Sequence, residues 1–487
     1  MRGEIDGVTV LREDQPGMPV GSLSFGCDPR DEDLDTIGLT HLVQCLVLRA
    51  EPCAAEECTE MTALVDTSFT AAGTSEQLAE HFTAVCAAVA ALPPGDLADA
   101  LAEADPEDRY LGDIEDGLLD PWGSLLARRY GPAGPGLARW PAVDYRLFTA
   151  DEIRRHVGTF FTAGNAVLAL TAAAPPDLRL PLPAGPRVTR TASAVRRTGP
   201  IWYADEVRGA GLTVRVEPGV EAVALVRLLR SRVNAELARA GLAAQSDRVS
   251  LPVDADRHEY GLVVRPRGKK SKAGDAAAAA EVLWAELRRL VHDGPEQAEL
   301  DREIAFAEVP PTAVPGMRRD WLARIGALEQ PAQLELFGTA DHYYHPAPVD
   351  RLRRLTPAAA RDLTAGWLSA ALVVVPRGAV PTLPGLVEQS CPTSRIPPSG
   401  EMYRPPVLKR LGRKDVLVLG TDSVATVDSD GTVHTVPLAE ALLAERDGRY
   451  WLAHTGHGCV TDISDHSGAA AALRSVLPAR RVRRDTA

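Results

Sequence analysis

One layout occurs twice in this chain, and it constrains the fold more than any single motif. "TADEIRRHVGTFFTAGNAVLALTAA", starting at Thr149, reads as a capped helix, a Gly-Asn turn and a buried-type strand over Ala166–Thr171. "TPAAARDLTAGWLSAALVVVPRG", starting at Thr356, repeats the order, helix and then closing strand. Each lies at the end of a run of alternating strands and helices. Two α/β halves of similar plan imply an internal duplication, with slight residue identity between the copies. At 487 residues the chain exceeds a single compact core, which agrees with several domains.

The first half opens with short strand candidates, "VTVLRE" and "VGSLSFGC", the latter alternating around Leu23 and Phe25. A helix follows in which Leu39, Leu42, Val43 and Leu46 share one face. Thr74, three residues before Gln77, predicts a capping box at the head of the next helix, which ends at Pro-Pro-Gly. "PWGSLLARRYG" is a further helical piece. In the second half, "GLTVRVE" and "HEYGLVVRPRG" read as strands, and the long helix after Gly219 ends at Gly241.

Pro-rich stretches divide the chain. The expected units are a first half over 1–186, a linker over 187–200, a second half over 201–378 and a Pro-rich linker over 379–406. A small β-rich domain with a C-terminal helix then covers 407–480, of pleckstrin-homology-like plan, and 481–487 is a basic, solvated tail.

The formal charge of −13 argues against non-specific nucleic-acid binding. No window approaches a membrane-spanning length, and no signal-peptide run is present, so a cytoplasmic protein without membrane contact is expected. Seven scattered Cys fit reduced thiols, Cys53 and Cys58 among them. Three charged or His-bearing stretches read as ordinary surface: "HYYH" at His342–His345 as a loop, "HTGHGC" at His454–Cys459 as a turn between strands without a companion cluster, and "RGKKSKAGD" as a solvated loop.

"SFGCDPRDEDLDTIGLTHLVQCL" resembles the start of the pitrilysin-like inverzincin peptidases, the family of mitochondrial processing peptidase. There a strand, a Gly and an acidic loop lead into G-x-x-H-x-x-E-H. The segments "VDTSFTAAGTSEQLAEHFTAVCAAVAALP" and "YGPAGPGLARWPAVDYRLFTADEIRRHVGTFFTAGNAVLALTAA" are similar to later blocks of that family. The resemblance spans residues 1 to about 380. It implies an α+β fold of two duplicated half-domains, each a mostly antiparallel sheet with helices on one face, followed by an extra β domain.

The departures bear on function. Two His at i and i+4 on one helix face would bind zinc, and the Glu between them would take a proton from the metal-bound water. Here His41 remains, the base position is Gln44, and the second His is Cys45. An amide accepts no proton at useful pH. The third carboxylate is left among Glu103, Glu107 and Asp113. The family's substrate-clamping Arg and Tyr correspond to Arg239, one residue out of register, and Ala244.

The resemblance therefore implies a non-catalytic subunit with no cofactor of its own. Such a subunit would pair with an active homologous zinc peptidase and help enclose a peptide substrate, as in leader-peptide removal during peptide natural-product maturation. The alternatives are a stand-alone peptide-binding or scaffold protein, and a cryptic zinc peptidase using His41 and Cys45. His41 as a core histidine on an apolar helix face is the plainer reading of that residue.

Overall fold

The computed structural model describes the chain except residues 52, 54, 63, 105–116, 191–192, 255, 267–272, 309–318, 339–348, 407–414 and 485–487. Glu107, Asp113, "HYYH" and most of the "RGKKSKAGD" loop lie outside the described residues.

The first sheet is built from β1 (Arg2–Ile5), β2 (Val8–Arg12), β3 (Val20–Phe25), β4 (Glu57–Thr62), β5 (Thr67–Ala72) and β6 (Ala166–Leu170), in the order β1-β2-β6-β3-β5-β4. Only β2 and β6 run parallel; the other pairs are antiparallel. The helices of this half are α1 (Leu39–Ala50), α2 (Ser75–Ala91), α3 (Leu97–Glu103), α4 (Pro121–Tyr130) and α5 (Ala150–Phe160). The alternation read around Leu23 and Phe25 is realised: both join Leu42 and Val43 of α1, Phe82 of α2 and Ile153 of α5 in one core. The predicted capping box of Thr74 and Gln77 is present at the head of α2.

The second sheet repeats this plan. It comprises β7 (Ile201–Asp205), β8 (Ala210–Val216), β9 (Ala244–Asp254), β10 (Arg257–Pro266), β11 (Leu372–Pro376) and β12 (Val387–Glu388), in the order β12-β7-β11-β8-β10-β9. Again the closing strand β11 runs parallel to the opening strand β7 and antiparallel to β8. Helices α6 (Val220–Arg239), α7 (Ala273–Asp293), α8 (Gln297–Glu308), α9 (Arg319–Phe337), α10 (Val349–Leu352), α11 (Pro357–Thr364) and α12 (Trp367–Ala370) accompany it.

Helices are not confined to one face. Helix α9, from the second half of the sequence, lies across the face of the first sheet opposite α1, α2 and α5. Its Leu328 packs with Val20, Ala72 and Ala169, and its Ala332 and Leu336 with Val167. Gln333 donates to Asp66 at 3.2 Å. That sheet face is lined by small and hydroxylated residues, Ser22, Ser24, Ser68 and Thr70, all buried.

Two further four-stranded sheets follow, β13 (Glu401–Tyr403), β14 (Val416–Leu419), β15 (Ser423–Val427) and β16 (Val433–Pro437), then β17 (Ala441–Arg446), β18 (Arg449–His454), β19 (Cys459–Asp462) and β20 (Val482–Arg484). Their shared core includes Leu417, Val424, Leu443, Leu452 and Leu473, the last from α13 (Ala469–Val476).

Two expectations are corrected. The basic C-terminal stretch is not a solvated tail through residue 484: β20 pairs parallel with β17, and buried Arg483 donates to the carbonyls of Pro141, at 2.6 Å, and Leu34. Backbone carbonyls accept guanidinium N–H donors, which helps this basic residue to be buried. Cys53 and Cys58 are joined as a disulfide rather than standing as idle thiols; the turn into β4 brings their Cα atoms to 5.9 Å, within bridging range. Within the stretch read as the linker, Arg187 is ion-paired to Glu335 and Arg190 to Asp31.

Candidate functional site

Helix α1 carries the motif positions, and its start is tightly specified. Gly38 caps it at φ 99°, and a Cβ there would lie 2.8 Å from the Ala142 methyl and 3.0 Å from the Tyr145 ring. Only glycine meets both the left-handed backbone and that close approach. The Glu32 carboxylate accepts the backbone N–H groups of Gly38 at 2.8 Å and Thr40 at 2.7 Å, satisfying donors that the first turn leaves open.

The packing of the loop against Gly38 delivers Tyr145 to His41. The Tyr145 hydroxyl lies 2.6 Å from His41 Nδ1, and His41 is 6% exposed. Cys45, one turn on, places its Sγ 3.7 Å from the His41 ring nitrogens.

Gln44 is 2% exposed and both ends of its amide are engaged. Its Nε2 donates to the Ser68 carbonyl at 3.3 Å, and its Oε1 accepts from the Thr62 hydroxyl at 2.7 Å. The amide thus bridges α1 to the β4–β5 hairpin. Both a donor and an acceptor are required there, and Gln supplies them where a carboxylate would face the Ser68 carbonyl with a lone pair.

Of the carboxylate candidates, Glu103 sits at the end of α3, largely exposed, and accepts from Arg49 Nε at 2.6 Å. Arg49 lies two turns beyond His41 on α1, so Glu103 is held at the far end of the helix. Among the described residues, His41, Cys45 and Glu103 do not come together as a three-ligand group.

The clamp positions are also placed. Arg239 ends α6, is exposed and pairs with Glu236 one turn back. Ala244 opens β9 and carries no hydroxyl with which to polarise a carbonyl.

The "HTGHGC" stretch is the expected turn, joining β18 to β19. It does have companions, which the sequence reading missed. Cys459 Sγ lies 3.5 Å from His434 Nε2, and with Cys391 the three ligand atoms fall within 4.8 Å of one another. A hydrogen bond from Cys459 holds the Cys391 thiol down at about 4, helped by His434 and Arg128.

Among the described residues, the β4 edge of the first sheet, beside α1, pairs with no further strand. Strand β4 is hydrogen-bonded to β5 on one side and is the last strand in the order. Thr62, the partner of Gln44, belongs to it.

The sequence matches no protein-family model and no curated protein. Solved structures match by fold. A chain from Pseudomonas fluorescens described as a peptidase M16 inactive domain aligns at 15% identity with a TM-score of 0.56, covering 80% of this chain and 99% of that one. A chain of complex III2 from Candida albicans aligns at 12% identity and a TM-score of 0.54, covering 77% and 94%. A protease from Helicobacter pylori aligns at 12% identity and a TM-score of 0.54, covering 77% and 98%. These distant but consistent likenesses show a mixed α/β, M16-peptidase-like fold with extra C-terminal sheets.

Proposed function

We propose that this chain is a non-hydrolytic peptide-binding protein built on an M16-peptidase-like fold. The observation that carries this reading is the engagement of Gln44: its amide is spent on Thr62 and Ser68, and it has no basicity with which to activate water. Peptide binding is assigned to the free edge of β4. An extended peptide added there gains main-chain hydrogen bonds along a row of N–H and C=O groups that pair with no strand among the described residues. The opposite face of the sheet is taken by α9, so among the described elements the edge is the part of the sheet left to a peptide.

Fluorescence anisotropy with labelled unstructured peptides tests the reading. Saturable binding should be lost when alternate peptide amides are N-methylated, because methylation removes the donors that a strand edge accepts. Equal affinity for methylated and unmethylated peptides would count against edge binding.

The match along nearly the whole length of a chain described as an inactive domain favours a second reading, a companion subunit that completes the chamber of an active homologous zinc peptidase. Mixing with such a homologue should then give a defined heterodimer with faster peptide cleavage than the homologue alone. Separate elution at micromolar concentration with no change in rate leaves the stand-alone binding protein.

A further inference from the structure

We propose that Cys391, His434 and Cys459 form a zinc-binding site that fastens the segment after β12 to the C-terminal sheets. The three residues come from separate pieces of chain: Cys391 from the irregular stretch between β12 and β13, His434 from β16, and Cys459 from the first position of β19. Only the tertiary fold brings them together.

The donor set is two sulfurs and one imidazole nitrogen, the chemistry that selects zinc over hard cations. The spacing also fits. Zinc bonds of about 2.3 Å to sulfur and about 2.0 Å to nitrogen place two ligands of a tetrahedron about 3.6 Å apart. His434 Nε2 and Cys459 Sγ already stand at 3.5 Å, and no pair in the trio exceeds 4.8 Å. Three protein ligands leave the fourth position to water or to a donor from outside, as in zinc sites that remain open.

The surroundings hold the ligands in place. Arg128 donates to Cys391 Sγ at 3.5 Å and to the His457 carbonyl at 3.1 Å, so one buried guanidinium grips both arms of the site. Such outer hydrogen bonds orient ligands and are part of a metal site's design. Two thiolates neutralise one zinc ion. The nearby Arg377 is paired with Glu206 at 3.3 Å. The competing fate of the same sulfurs is a Cys391–Cys459 disulfide, which would leave no thiolate for metal.

The test is metal content of the full chain, reconstituted with zinc under reducing conditions and then dialysed. About one zinc per chain should be retained, with at least about a tenfold loss in Cys391→Ser and in His434→Ala, both at half-buried positions. His41→Ala and Cys45→Ser should retain zinc as the unmodified chain does. Cobalt substitution of the unmodified chain should give a sulfur-to-cobalt charge-transfer band, a readout that does not depend on any variant folding. Absence of that band, zinc retention unaffected by Cys391→Ser and His434→Ala, or a Cys391–Cys459 disulfide that re-forms in the presence of zinc would each overturn the site.

Discussion

The Thr62 hydroxyl donates to Gln44 Oε1 at 2.7 Å, so Gln44 of α1 is tied to the neighbouring edge strand. Gln44 acts here as a structural bridge between α1 and the β4–β5 hairpin. Replacing this amide by a carboxylate therefore works against the local packing.

Gln44→Glu should destabilise the chain by about 1–3 kcal/mol at neutral pH, because the buried carboxylate loses the donor to Ser68 and is poorly solvated. The penalty should shrink toward pH 4, where the carboxyl is protonated and regains a donor. Urea unfolding at the two pH values measures it. An unchanged midpoint at neutral pH would mean that the amide contributes little.

Arg139 and Asp205 form a fully buried ion pair that joins the first half to the second, and Asp205 also accepts the Val460 N–H at 3.0 Å from β19. Removing one partner leaves a charge uncompensated in the interior. Arg139→Met should cost about 3–5 kcal/mol, and the Arg139→Met/Asp205→Leu double variant less than the sum of the single changes. Amide exchange should report the loss first at β19, where the Val460 contact depends on the pair.

Burial raises the Asp66 carboxyl to about 6, with the Gln333 amide of α9 opposing the rise. The folded state thus holds this proton more tightly than the unfolded chain does. That contribution is complete below the ordinary carboxylate range and is lost as the pH climbs to about 6. Asp66→Asn should remove this loss, so the variant gains stability over the parent at pH 7.5 more than at pH 4. Thermal melts at both values check the sign; an equal effect at the two values would place the shift elsewhere.

The duplicated layout was legible because apolar runs such as "AVLAL" and "LVVVP" have strand composition and follow capped helices; they became β6 and β11. Two elements near the sites were not. Strand β9 contains Pro252 and several polar residues, and a sheet edge tolerates both. Helix α9 carries Pro331 in its interior, which reads as a breaker, yet its apolar stripe on the first sheet sustains it. The motif helix could be read as departing from the metal pattern, but the hydrogen bonds of Gln44 depend on Thr62 and Ser68, which the β4–β5 hairpin brings to it through tertiary structure. The Cys391, His434 and Cys459 trio has no sequence spacing to announce it, since its members meet through tertiary structure alone.

The most direct measurement of the central claim is a cleavage assay of the purified chain with unstructured peptides, in zinc-replete buffer, with and without chelator. The account predicts that peptides stay intact over the time in which they bind, and that His41→Ala behaves as the parent does. Hydrolysis that disappears with chelator and in His41→Ala would contradict it and make the chain a zinc peptidase working through His41.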